Sequence, residues 1–151
     1  MKKKTIRIFI LLSALLLVLA GVLYYNFYHI NLNRFSLRIG QGAAESPSGN
    51  YMIKVSVCPV AFIPEDTDYL TYICDEGLEA YVIGELWREP VTDAAGVKQW
   101  DSQSSRVIYY DKFDDCTVEF HWIDDDTLVI NGITLNLPTD TYDFRRNIQN
   151  F

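Results

Sequence analysis

The chain has 151 residues and a formal charge of −7, and its 49% hydrophobic content averages two different materials. Of residues 1–28, 20 are hydrophobic and the charge is +4, whereas residues 29–151 hold all 20 acidic and 9 of the 13 basic residues, a charge of −11. That balance argues against a nucleic-acid role, since neutralising phosphates needs a basic face, and residues 29–151 amount to one domain.

Residues 8–28 carry no charge, and 21 residues at ~1.5 Å each form a helix of roughly 31 Å, enough to cross a bilayer. Between Ile8 and Leu23 stand 12 Leu, Ile, Val or Phe residues, which together favour insertion by roughly 4 to 7 kcal/mol. Lys2, Lys3, Lys4 and Arg7 precede the span, and the next cation, Arg34, is isolated. The positive-inside rule therefore leaves the N-terminus in the cytoplasm and the domain outside. Tyr24, Tyr25, Phe27 and Tyr28 fall where the helix reaches the outer headgroups. A cleaved signal peptide is the competing reading, with Val18-Leu19-Ala20 before Gly21 as the cleavage site. A lipoprotein is disfavoured because no cysteine lies near the end of the apolar run.

The organisation expected is a basic stub and transmembrane anchor over residues 1–28, a tether and leading strand over 29–45, and a β domain over 46–151. Phe35, Leu37 and Ile39 alternate with polar residues as the leading strand, and residues 40–49, rich in Gly and Ser, are a loop. Residues 51–57 place Tyr51, Ile53, Val55 and Val57 on one face, a half-buried strand. Residues 78–87 are apolar on both faces, with Tyr81, Ile83 and Trp87 opposite Ala80, Val82 and Leu86, which predicts a central strand covered on two sides. Further strands are expected at residues 106–110, 116–123 and 127–137. The second of these alternates Val118, Phe120 and Trp122 with Thr117, Glu119 and His121, placing Trp122 in the core. The third is broken by Asn131-Gly132, a hairpin signal because both residues accept positive φ. Asp124-Asp125-Asp126 is the turn between them.

No amphipathic helix of useful length follows the membrane segment. The domain should be all β, mostly an antiparallel meander, and its two-sided strand implies a sheet that curls or gains a second layer over residues 29–45 and 59–77.

Chemistry is sparse. Of the two histidines, His29 lies at the membrane interface and His121 on a polar strand row, so an envelope hydrolase or transferase would rest on His121 with the carboxylates near Asp124, the minority reading. Glu119, Asp124, Asp125 and Asp126 lack the spacing of a calcium loop and read as a solvated turn. Phosphate-cradling loops and zinc-type cysteine pairs are absent from the sequence, so no catalytic, cofactor or metal residue is assigned and no cofactor is expected. Three cysteines leave one thiol over if two are bridged. Cys58 and Cys74, at the two ends of residues 59–73, are the candidate disulfide, and Cys116 is then unpaired; a free buried cysteine remains the other option. Tyr142-Asp143-Phe144-Arg145, directly after the last strand, is a docking or interaction segment, since disordered tails usually lack large apolar groups. A non-enzymatic module that is tethered to the membrane and contacts a cell-envelope protein is the leading functional expectation.

Ser46-Pro-Ser-Gly-Asn-Tyr51, Gly84-Glu-Leu86, Val107-Ile-Tyr109, Trp122-Ile-Asp-Asp-Asp-Thr127, Ile130-Asn-Gly132 and Asp140-Thr-Tyr-Asp-Phe-Arg145 together resemble a family of small membrane-anchored proteins of Gram-positive bacteria, domain of unknown function 5412. The resemblance spans about residues 46–145 and is most specific over 122–145. It implies a location and a fold type and brings no activity or catalytic residue. The chain departs from the pattern between Cys58 and Leu78, where a longer, acidic excursion replaces a short Gly-Gly turn.

Overall fold

A computed structural model of the chain describes residues 2–88, 90–100 and 105–146, with residues 2–7, 26–28 and 91 described by backbone alone. Its elements in chain order are α1 (Lys2–Tyr28), a 3-10 turn (Leu32–Arg34), β1 (Ile39–Glu45), β2 (Tyr51–Pro59), α2 (Tyr69–Asp75), β3 (Ala80–Arg88), β4 (Val91–Thr92), β5 (Lys98–Gln99), β6 (Arg106–Lys112), β7 (Phe120–Trp122), β8 (Thr127–Ile130), β9 (Ile133–Asn136) and β10 (Tyr142–Asp143).

The chain divides into two compact units, Met1–Leu32 and Asn33–Phe151. The first is α1, in which Ile8–Tyr25 is long and apolar enough to cross a membrane. Its side chains there stand exposed, including Tyr24 and Tyr25, and Tyr25 stacks on His29 with ring centroids 4.6 Å apart. Phe27 and Tyr28, expected in the same aromatic group, have side chains outside the described residues.

The second unit is mostly β. A five-stranded sheet runs in the order β1-β2-β3-β6-β10 and a three-stranded sheet in the order β7-β8-β9, with β4 and β5 as a separate small hairpin. As the two-sided apolar pattern implied, β3 is central, and Ala80 to Gly84 and Leu86 are buried. One face of the large sheet supplies Ile53, Val55, Val57, Val82, Leu86 and Ile108, and the small sheet meets it with Leu128, Ile130, Leu135 and Leu137, all in one hydrophobic cluster. This is the second layer. Gly84 sits where the layers meet: a Cβ there would lie 3.0 Å from Tyr109 Cβ and 3.1 Å from Ile130 Cδ1, so only glycine lets the sheets approach this closely. The Asn131-Gly132 hairpin forms as expected, with φ of 47° and 77° and Ile130 facing Ile133.

Several expectations are corrected. The leading strand begins at Ile39 and runs through the segment expected to be a loop, pairing from Ile39 with Val57 to Glu45 with Met52 across a bulge at Gly40 to Gly42. Backbone hydrogen bonds need no large side chains, so a Gly- and Ala-rich stretch can pair without an alternating pattern. Phe35 is buried instead by docking near Tyr81, ring centroids 6.0 Å apart. The pairing is mostly antiparallel, as expected, and the exception is β10, which lies parallel to β6, with Tyr142 beside Tyr109 and Asp143 beside Tyr110. The chain reaches that edge only after building the small sheet, and so returns in the direction of β6. The strand expected at residues 116–123 is reduced to β7, since Cys116 has a φ of 54°, outside extended geometry. Trp122 is half-buried rather than fully enclosed: its ring stacks on Tyr51 at 6.4 Å and its indole N–H donates to Ala44 O at 3.1 Å.

The cysteine pairing differs most. Cys74 is bridged to Cys116, with Cα atoms 5.9 Å apart, and Cys58 is the free, buried thiol. Cys58 faces Tyr81 across β2 and β3, and burial pushes its thiol up to about 11. Cys74 instead lies on α2, the short helix within residues 59–77, a segment that packs on the core through Ile63 and Ile73. Phe113 N–H donates to Ala80 O at 3.0 Å, which brings the chain beyond β6 to the same end of the sheet.

Candidate functional site

Two surfaces concentrate the unusual side chains of the β unit. The first is the excursion after β2. Val60 N–H donates to Glu79 O at 2.9 Å, Leu78 N–H to Ile73 O at 2.9 Å, and the Thr67 hydroxyl to Pro64 O at 2.7 Å. Ile63 and Ile73 are buried in the core cluster, and the Cys74–Cys116 bridge ties the far end of the excursion to the chain beyond β6. On this fixed base Phe62 is 80% exposed and Val60 48% exposed. Exposed Glu65, Asp66 and Asp68 follow, and Asp68 accepts a hydrogen bond from the Thr71 hydroxyl at 2.7 Å. The surface is therefore an apolar tip with an acidic flank.

The second surface is the face of the large sheet turned away from the small one. Tyr81, Tyr110 and Phe144 form a ring group, with centroids 5.1 Å apart for Tyr81 and Tyr110, 5.9 Å for Tyr81 and Phe144, and 5.5 Å for Tyr110 and Phe144. Cations cover it: Arg34 lies 5.2 Å from the Tyr81 ring centre, Arg145 4.9 Å from Tyr110 and Lys112 5.9 Å from Phe144. The Arg145 Nε and Nη2 donate to the two carboxylate oxygens of buried Asp143 at 2.9 and 2.6 Å, a forked pair that fixes both groups. Hydrogen bonding to Asp143 raises the Arg145 pKa. Burial, then the hydrogen bond its hydroxyl donates to Glu79, pushes the Tyr81 phenol up to about 12.

Tyr142, Asp143, Phe144 and Arg145 thus lie on the sheet. Tyr142 stacks on Tyr109 at 5.2 Å on the inner side, and Phe144 N–H extends the pairing by donating to Tyr110 O at 3.1 Å. All three aromatics of the outer group are consumed in mutual stacking, so the segment's aromatic content serves docking. Residues 147–151, which follow it, lie outside the described residues.

The residues of the hydrolase reading are placed differently. His121 is exposed on β7 opposite Val129. Asp124 accepts Asp126 N–H at 3.0 Å, and its carboxyl is held below the usual range first by the Thr127 side chain and then by the Asp126 backbone. Asp125 accepts Ser48 N–H, joining this turn to the turn before β2. These carboxylates act as turn acceptors. Among the described residues no group of three or more His, Cys, Asp or Glu side chains is placed to hold a metal ion.

Phe62 and Val60 were not singled out by sequence reasoning, although their signal was present: Val60-Ala61-Phe62 between Pro59 and Pro64 is an apolar run in a loop with no strand or helix periodicity to bury it.

Residues 89–147 match a family described as a family of unknown function (DUF5412). This agrees with the resemblance read from the motifs at Val107 to Tyr109 and from Trp122 to Arg145, while Ser46 to Tyr51 and Gly84 to Leu86 lie outside the matched span. The match covers β6, the small sheet and β10, and leaves out the Phe62 loop. No curated protein and no solved structure matches the chain.

Proposed function

We propose that this chain is a single-pass membrane protein with a cytoplasmic N-terminus, and that its β domain is a non-enzymatic binding module outside the cell membrane that presents the Val60-Ala61-Phe62 tip to a protein of the cell envelope. The observation that carries the reading is the 80% exposure of Phe62. A large aromatic in water is unfavourable by roughly 2 kcal/mol relative to a buried one, and here the neighbouring Ile63 and Ile73 are buried, so the loop as a whole is well packed. The anchor is supported by an apolar helix of spanning length at Ile8–Tyr25, and the orientation by Lys2, Lys3, Lys4 and Arg7 before it. A disulfide fits an oxidising compartment. Glu65, Asp66 and Asp68 beside the tip favour a partner with an apolar pocket rimmed by basic side chains.

The test is a photo-crosslinking residue placed at position 62 in cells, with the same residue at exposed Ile123 as control. One defined adduct at 62 that position 123 does not give, and that weakens as salt rises, is expected. Equal labelling at both positions, or none at 62, would remove the reading. Phe62→Ser should leave the melting temperature unchanged, which separates loss of the partner from loss of fold.

A further inference from the structure

Beyond β6 the chain runs between two fixed points: Phe113 N–H donates to Ala80 O at 3.0 Å, and Glu119 N–H donates to Asn131 Oδ1 at 2.9 Å. Between them Asp114 to Thr117 are exposed and, among the described residues, take part in no hydrogen bond or ion pair. What holds this segment is the bridge from Cys116 to Cys74. Cys116 keeps a left-handed φ of 54° there, a conformation that a residue with a Cβ adopts at a cost.

The other side of the bridge is equally poor in local support. α2 has seven residues, too few to stay helical alone in water. Asp68 before it makes no side-chain capping bond, and Asp75 and Glu76 close its C-terminal end, where the helix dipole disfavours negative charge. Burial of Ile73 and the bridge at Cys74 compensate. Each bridged cysteine also has a carboxylate neighbour, Asp75 on one side and Asp115 on the other. With the cysteine Cα atoms 5.9 Å apart, the Cα atoms of those two residues stand at most about 14 Å apart. Glu76 and Asp114 come next, and none of the four makes an ion pair among the described residues. The bond therefore draws together two acidic, weakly held segments, which gain freedom and separate their charges when it breaks. Its Cys116 end is exposed and its Cys74 end half-buried, and exposed bridges are the readily exchanged ones. Cys58, wholly buried, stays outside such exchange.

We propose that the Cys74–Cys116 bridge is a thiol–disulfide switch: oxidised, it holds α2 and residues 114–117 in place, and reduced by a dithiol protein of the cell envelope, it releases both. A thiolate of the dithiol attacks the Cys116 sulfur, the Cys74–Cys116 bond breaks, and Cys74 leaves as a thiolate that takes up a proton. The second thiol of the dithiol, deprotonated, attacks its partner sulfur in the mixed disulfide and expels Cys116, which is protonated in turn. The bridge gains two electrons and two protons, and the dithiol becomes a disulfide. Tyr72 N–H donates to Asp68 O at 2.9 Å, so release of α2 also loosens the acidic flank beside Phe62. That consequence rests on the reading of the tip as a contact surface.

The experiment uses the full chain in detergent, with dithiothreitol as the dithiol, followed by iodoacetamide and by hydrogen exchange. Without denaturant, mass spectrometry should find alkyl groups on Cys74 and Cys116 and none on Cys58. Exchange at the Tyr72 and Glu76 amides should then quicken at least tenfold, while β3 and β6 keep their protection. A bridge reduced only in denaturant, unchanged exchange in α2, or loss of protection in β3 and β6 together with α2 overturns the proposal. Cys74→Ser with Cys116→Ser should reproduce the reduced pattern, and should that variant fail to fold, the reduced parent decides. In cells the double variant should lower the adduct formed from position 62 at least threefold, and an undiminished adduct overturns the control of that surface. No adduct at 62 in the parent removes the tip reading instead, and the exchange rates in α2 still decide the switch.

Discussion

Gly84→Ala tests the two-layer core at the point where it is tightest. The added Cβ would stand 3.0 Å from Tyr109 Cβ, 3.1 Å from Ile130 Cδ1 and 3.5 Å from Ile53 Cδ1. Tyr109 Cβ is fixed to the backbone of β6 and cannot swing aside, whereas the Ile130 methyl can turn, at a cost in rotamer energy. Overpacking of this kind destabilises by about 1 to 3 kcal/mol, and replacing a glycine inside a strand returns about 0.5 to 1 kcal/mol of backbone entropy. The net expectation is a loss of about 1 to 2 kcal/mol, read as a melting temperature lower by about 4 to 10 °C for a domain of this size. Thermal and urea unfolding of the full chain in detergent measure it. Ile130→Val removes the methyl at 3.1 Å, so the two substitutions together should cost less than their sum by about 0.5 kcal/mol or more. A Gly84→Ala protein as stable as the parent, or strict additivity with Ile130→Val, would refute the proximity of the sheets argued from this glycine.

Replacing Cys74 and Cys116 together by Ser opens a loop with a sequence separation of 42, which should cost about 2 to 4 kcal/mol in urea unfolding; Cys58→Ser should leave thiol titration of the native protein silent and the bridge intact. Phe144→Ala removes a half-buried ring from contact with Tyr81 and Tyr110 and should lower stability by about 2 kcal/mol, measured by thermal unfolding. Alkaline titration followed by tyrosinate absorbance tests the outer face. The Tyr81 phenol is raised to about 12 by burial and by Glu79, above the ~10 of an unfolded tyrosine. Its contribution is therefore fully present below pH ~10 and is lost as pH rises toward 12, so late tyrosine ionisation should coincide with unfolding, and Tyr81→Phe should lower the amplitude of that step by one tyrosine, since burial also raises Tyr109, Tyr110 and Tyr142.

Local pattern determined a good deal of this protein. An uncharged apolar run determined a helix long and apolar enough to cross a membrane, two-sided apolarity made β3 central, and Asn131-Gly132 determined the last hairpin, because in each case the physical cause lies within a few residues of its effect. The motifs from Trp122 to Arg145 were legible for the same reason, and that block lies within the family match at residues 89–147. What tertiary structure alone decided has causes distant in sequence. β1 exists because β2 offers a ladder to a Gly-rich stretch whose own side chains announce nothing. Cys74 finds Cys116 because α2 and the chain leaving β6 meet at one end of the sheet, a meeting that strand alternation cannot foresee. The parallel β10 and the exposure of Phe62 beside buried Ile63 likewise arise only when the small sheet closes over the large one. Each depends on which surfaces that closure covers and which it leaves in water.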